Sequence, residues 1–162
     1  MKNAVFAGSF DPVTIGHVEL VRRLSEIFDR VYFLLAINAA KTCYFPREDR
    51  LQMMRLATEN LPNVTVDFTE GYVYEYARAH DAVLARGVRS QTDYTYERMI
   101  ADNNRSWAPE IQTVFLMADP AYCEISSTEI RDQWMAGKLM KDKLPPQVAQ
   151  YLAERRDTLG KQ

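Results

Sequence analysis

Val5-Phe6-Ala7-Gly8-Ser9-Phe10-Asp11-Pro12-Val13-Thr14-Ile15-Gly16-His17 is the stretch whose reading decides the fold. An apolar run ends at a glycine, a turn of small and punctuating residues follows, and Gly16-His17 opens a periodic segment from Val18 to Phe28. The pattern predicts strand, loop, helix. A loop between a buried strand end and a helix start gathers unpaired backbone N–H groups at the positive end of the helix dipole, a setting that holds phosphates. The stretch has neither the G-x-G-x-x-G dinucleotide fingerprint nor the G-K-[ST] of a Walker loop. By spacing alone it fits an anion site or a tight turn carrying a solvated histidine.

Outward from this corner, the helix over 17–28 places Val18, Val21, Leu24 and Phe28 on one face and Glu19, Arg22, Arg23 and Glu26 on the other. Residues 31–37 are apolar throughout, as suits a parallel strand covered on both sides. A helix starting at Pro46 carries the stripe Leu51, Met54, Ala57 and Leu61. A strand over 64–68 and a short helix over 73–79 follow. The fourth strand is read over 82–85, ending in Arg86-Gly87-Val88-Arg89, and Thr92 or Asp93 is expected to cap a helix running to about Arg105. Residues 113–117 form the fifth strand. Ser126 with Glu129 reads as a capping box, and Pro145-Pro146 precedes a last helix over 147–155. Strands alternate with helices, which predicts an α/β fold, a doubly wound parallel five-stranded sheet in one domain over 1–162, with a polar, frayed tail from about 153.

The 162 residues suffice for a real core, and 47% hydrophobic and 26% charged content is ordinary for a globular protein. A net charge of -2 offers no reason to expect nucleic acid or a membrane surface as partner. Cys43 and Cys123 make no metal framework with His17 and His80, and reduced thiols are the simpler reading. With no signal peptide and no apolar run near the ~20 residues needed to span a bilayer, the expected location is cytoplasmic.

Every polar cluster follows a strand, where doubly wound folds bind ligands: Ser9 to His17, Lys41, Arg86 to Arg89, and Ser126 to Arg131. Lys41 and His17 at one sheet edge would bracket a phosphate. Arg86 and Arg89 offer planar, bidentate donors to phosphate oxygens, and Gly87 between them would let the backbone approach a ligand. Ser126-Ser127-Thr128 caps a helix and supplies further donors. No nucleophile–base set stands out. A phosphate monoester is ionised near neutral pH and needs no base, so positioning and charge stabilisation would suffice for it.

Gly8-Ser9-Phe10-Asp11-Pro12 followed by Thr14-Ile15-Gly16-His17 resembles the G-[ST]-F-D-P-x-[TH]-x-G-H signature of the nucleotidyltransferase superfamily, which implies its Rossmann-like fold. Arg86-Gly87-Val88-Arg89 with Asp93-Tyr94-Thr95-Tyr96-Glu97 is similar to the R-G-[LV]-R…D-[FY]-x-Y-E pattern of the phosphopantetheine adenylyltransferase family. That resemblance implies adenylyl transfer from ATP to 4′-phosphopantetheine, with Mg²⁺, in a homo-oligomer, commonly a hexamer. It implies His17, Lys41 and Arg89 as catalytic residues. ATP would be held by Ser9, Phe10, His17, Gly87, Val88, Arg89, Glu97 and the stretch Tyr122, Cys123, Glu124, Ile125, Ser126, Ser127 and Thr128. The acceptor would be held by Ser9, Lys41, Val73 and Arg86. The form I-S-S-T-E-I-R over 125–131 is closer to nicotinate- or nicotinamide-mononucleotide adenylyltransferases and small cytidylyltransferases. Those acceptors, and a nucleotide-binding module without turnover, stand as alternatives.

Overall fold

The computed structural model describes residues 1–159. Strands β1 (Asn3–Gly8), β2 (Arg30–Ala36), β3 (Val64–Thr69), β4 (Ala82–Val88) and β5 (Thr113–Met117) alternate with helices α1 (Ile15–Ile27), α2 (Arg47–Ala57), α3 (Val73–Ala79) and α4 (Gln91–Trp107). Three more helices follow, α5 (Ser127–Met135), α6 (Pro146–Glu154) and α7 (Arg156–Leu159). All strand pairings are parallel, in the order β3-β2-β1-β4-β5. The chain steps outward from β1 to β3, then returns to place β4 on the other side of β1. A crevice must open at that reversal, beyond the carboxyl ends of β1 and β4.

The sheet is covered on both faces, as the apolar strands require. Ala4 and Phe6 of β1 pack with Leu20, Val21 and Leu24 of α1, with α2, and with Ile130, Trp134 and Leu152 of α5 and α6. Val5 and Ala7 point the other way, against Ala77 of α3. The doubly wound α/β architecture is as the alternation of elements predicts.

Several boundaries differ from the sequence reading, each for a local reason. α1 begins at Ile15 because Thr14 caps it. β4 extends to Val88, so Arg86 and Gly87 are strand residues rather than loop. The cap of α4 is Ser90, whose hydroxyl accepts from the Asp93 N–H, and neither Thr92 nor Asp93 fills that place. The expected frayed tail from about 153 is instead helical as far as 159, and two of its arginines are docked. Arg155 Nε lies 3.0 Å from the buried Asp49 carboxylate, and the Arg156 guanidinium sits 3.9 Å above the Trp134 ring. Composition cannot foresee such partners. The rest of that tail, 160–162, lies outside the described residues. No helix among them is long and apolar enough to cross a membrane.

Gly87 sits close under α1. A Cβ there would lie 2.4 Å from Leu20 Cδ1, so any larger residue must displace that buried side chain. Gly87→Ala is expected to lower stability by about 1–3 kcal/mol in urea denaturation. Leu20→Ala combined with it should cost less than the sum of the two single changes, since the clash goes with the leucine.

Candidate active site

The first loop is built by reciprocal contacts. Thr14 Oγ1 accepts from the His17 N–H at 3.3 Å, and the Thr14 N–H donates to His17 Nδ1 at 3.0 Å. This is a capping box in which a histidine takes the usual glutamate's place. With Nδ1 accepting, the proton of the neutral ring sits on Nε2. The ring stands edge-on to Phe10 at 4.9 Å, and Phe10 folds back over Gly8, where a Cβ would meet it at 3.0 Å. The loop is clamped from outside as well. The Asp11 carboxylate accepts from the Tyr44 and Phe45 N–H groups, Arg131 donates to the Asp11 carbonyl at 2.7 Å, and Ser127 Oγ donates to the Pro12 carbonyl at 2.7 Å.

The crevice between β1 and β4 holds a cavity of about 320 Å³. Ser9, Phe10, Thr14 and His17 line one side, Arg86, Gly87, Arg89 and Glu97 another, and Tyr122, Ile125, Ser126, Ser127 and Thr128 close it. Two helix N-termini, those of α1 and α5, meet there, so two sets of unpaired N–H groups and two dipole ends face one space. Arg89 is half exposed, its Nη1 3.3 Å from the Ile125 carbonyl.

Other residues named from the sequence are placed differently. Arg86 is already engaged: Nε and Nη2 grip the Glu97 carboxylate at 2.6 and 2.8 Å, and Nη1 donates to the Ala7 carbonyl at 2.8 Å. Glu97, read as a nucleotide ligand, is 5% exposed and serves that arginine. Val88 is buried in β4 and, like Cys123 and Glu124, is not among the cavity walls. Cys123 turns its thiol toward the Asp119 carbonyl. Lys41 Nζ lies 3.4 Å from Ser9 Oγ and lines a neighbouring hollow of about 400 Å³ with Asp11 and Arg131. Val73 lies in a third, of about 610 Å³, which shares Ala7 and Arg86 with the first and extends to Asn38, Tyr74 and Asn104. Ser9 and Arg86 thus stand at the junctions. Sequence reasoning missed Thr14 as the orienting partner of His17; its signal was the S/T-x-x spacing of a capping box, disguised by histidine at the fourth position.

His17 is not a cation. Burial, then the charges of Arg89 and Arg86, lower its pKa from 6.5 to about 4. Of His17 and Lys41, expected to bracket a phosphate, the first is thus a neutral donor on the cavity and the second lines the neighbouring hollow. Among the described residues no three His, Cys, Asp or Glu side chains are grouped to hold a metal ion.

Fold and site together define a nucleotidyltransferase of the cytidylyltransferase-like class, whose family model matches residues 5–133. Solved structures share the fold. A putative nicotinate-nucleotide adenylyltransferase from Vibrio parahaemolyticus has a TM-score of 0.71 at 20% identity and covers 98% of each chain. The bifunctional NMN adenylyltransferase/ADP ribose pyrophosphatase of Francisella tularensis has a TM-score of 0.71 at 16% identity, and this chain spans 51% of its length and aligns over 99% of its own. At higher similarity, the phosphopantetheine adenylyltransferase of Desulforudis audaxviator (strain MP104C) is 40% identical over 156 residues, 96% of each chain. The chain belongs to the phosphopantetheine adenylyltransferase family.

A histidine whose folded pKa lies below its unfolded value favours folding fully above pH 6.5 and loses that contribution as pH falls from 6.5 toward 4. NMR of the ligand-free protein should therefore find the His17 ring neutral from neutral pH down to about pH 5. Arg89→Met should move its titration back toward 6.5, since one of the two opposing charges is gone.

Proposed function

We propose that this chain transfers the adenylyl group of ATP to 4′-phosphopantetheine. An oxygen of the acceptor phosphate attacks the α-phosphorus, the bond to the bridging α–β oxygen breaks, and pyrophosphate leaves, giving dephospho-coenzyme A. The observation that carries this reading is the neutral His17 held with Nδ1 occupied, in a cavity walled by two helix N-termini and sharing Arg86 and Ala7 with a second hollow of about 610 Å³. The 40% identical relative supports this choice of acceptor.

In this reading the triphosphate lies across the α5 N-terminus and Arg89, with Ser126 to Thr128 as donors. His17 Nε2–H donates to an α-phosphate oxygen and strengthens as charge builds there in the transition state. Lys41, next to Ser9, neutralises the acceptor phosphate and lets two anions approach. Arg86 is held by Glu97 and Ala7, so it presents a fixed edge rather than a mobile side chain, and Val73 lines the acceptor arm. A divalent cation, Mg²⁺ in the resemblance, would neutralise phosphate charge. With no protein cage among the described residues, its ligands would be phosphate oxygens and water.

The family resemblance also implies a homo-oligomer. Large apolar side chains exposed along α4 and β5, including Met99 at 51% and Met117 at 65%, support it.

The test is pyrophosphate release from ATP by purified protein with a panel of acceptors. Release is expected with phosphopantetheine and none with nicotinamide or nicotinate mononucleotide. The opposite pattern overturns the reading, and tight ATP binding without product under any condition makes the protein a binding module. His17→Ala should reduce kcat by about 10²–10³-fold while the ATP dissociation constant changes little, because its hydrogen bond matters most in the transition state.

A further inference from the structure

Arg50 is a charged side chain that the proposed chemistry does not use. It is 7% exposed on α2, and its partners are two carbonyl oxygens, Phe45 O at 3.0 Å from Nε and Ser9 O at 3.0 Å from Nη1. The Ser9 contact falls on the most constrained peptide of the loop. Phe10, the next residue, has φ of 38°, in the left-handed region that residues with a Cβ avoid. A trans peptide is planar, with its C=O and N–H on opposite sides. While Arg50 holds the Ser9 carbonyl toward α2, the Phe10 N–H must point away from α2. Ser9 and Phe10 both line the cavity, and no acceptor for the Phe10 N–H is found among the described residues.

A peptide flip would return Phe10 to negative φ and relieve the backbone. It would also turn the N–H toward α2 and the carbonyl into the cavity, where an oxygen would repel phosphate. Two restraints oppose it. The Phe10 ring is wedged against Phe33 at 4.6 Å and Phe6 at 5.7 Å, which holds the residue after the peptide. Arg50 holds the peptide itself, by a charge-assisted bond of the stronger kind.

We infer that Arg50 is a positioning residue: it locks the Ser9–Phe10 peptide in its high-energy orientation, so that the Phe10 N–H stands ready as a donor to the nucleotide phosphates. The inference rests on the proposal that the cavity binds ATP. It assigns Arg50 a role without contact to substrate, and it explains why a buried guanidinium is tolerated with only carbonyl partners.

The experiment is an amide NMR titration of the 162-residue chain with ATP, with kinetics of the same samples. In the wild type the Phe10 amide proton is expected to move strongly downfield, together with amides of Gly87 and Ser126 to Thr128. In Arg50→Lys, which keeps the charge and loses the fork, the Phe10 response should shrink and kcat/KM for ATP should fall by about 10²-fold. Arg50→Gln serves as the second variant if the lysine protein does not fold. A purely structural role would lower the melting temperature and leave the Phe10 response of the folded protein intact, which overturns the inference. So does a wild-type titration in which the other cavity amides move and Phe10 does not. If no cavity amide responds to ATP, the nucleotide reading itself fails and takes this inference with it, a result distinct from silence at Phe10 alone.

Discussion

Thr14 and His17 exchange hydrogen bonds across the first turn of α1, and much of the site follows from that exchange. One bond starts the helix and so sets where its N-terminal donors stand. The other occupies Nδ1, which fixes the tautomer and leaves Nε2–H as the group the ring can offer. The ring's burial beside Phe10, with two arginines nearby, keeps it uncharged. A neutral donor suits a step in which negative charge passes through the α-phosphate and on to the leaving group, since a cation held there would also bind the ground state tightly.

The loop carrying these groups has little regular structure, and it is held by other parts of the chain. Arg50 reaches it from α2, Arg131 and Ser127 from α5, and the Asp11 carboxylate ties it to the backbone at Tyr44 and Phe45. All these elements pack on the same face of the sheet, in one hydrophobic cluster. Core packing on that face therefore sets the geometry of the loop. This is preorganisation in physical terms: donors are aimed before the ligand arrives, and little reorganisation is left for the reaction.

The fold was legible because its signals are local. Apolar runs mark β1, β2 and β5, the 3.6-residue stripe marks α1 and α2, and Ser126 marks the cap of α5, while Pro46 stands one residue before α2 and Leu61 beyond its end. The short helix Val73–Ala79 was bounded correctly by the same reasoning. The site was legible in outline, since polar clusters after strands converge in this topology whatever their details. What could not be read depends on pairs distant in sequence. Arg86 and Glu97, each named from the sequence as a ligand, both line the cavity, and their pairing with each other across 11 positions is what spacing does not show. Gly87, expected to let a ligand approach, does line the cavity, and its close contact with Leu20 has no local signal. Arg155 and Arg156 looked like a solvated tail until Asp49 and Trp134 were found beneath them. The charge state of His17 belongs to this group too, since its causes are burial and the fields of Arg89 and Arg86.

On the proposed function, a neutral imidazole, two helix N-termini and Arg89 receive one triphosphate at the β1–β4 reversal. A crystal structure with a non-hydrolysable ATP analogue tests it most directly. His17 Nε2 should lie within about 3.2 Å of an α-phosphate oxygen. The β- and γ-phosphates should lie against Arg89 and the first turn of α5, with Nδ1 still on the Thr14 N–H. A triphosphate bound in either neighbouring hollow, or an imidazole turned so that Nδ1 faces the phosphate, would contradict it.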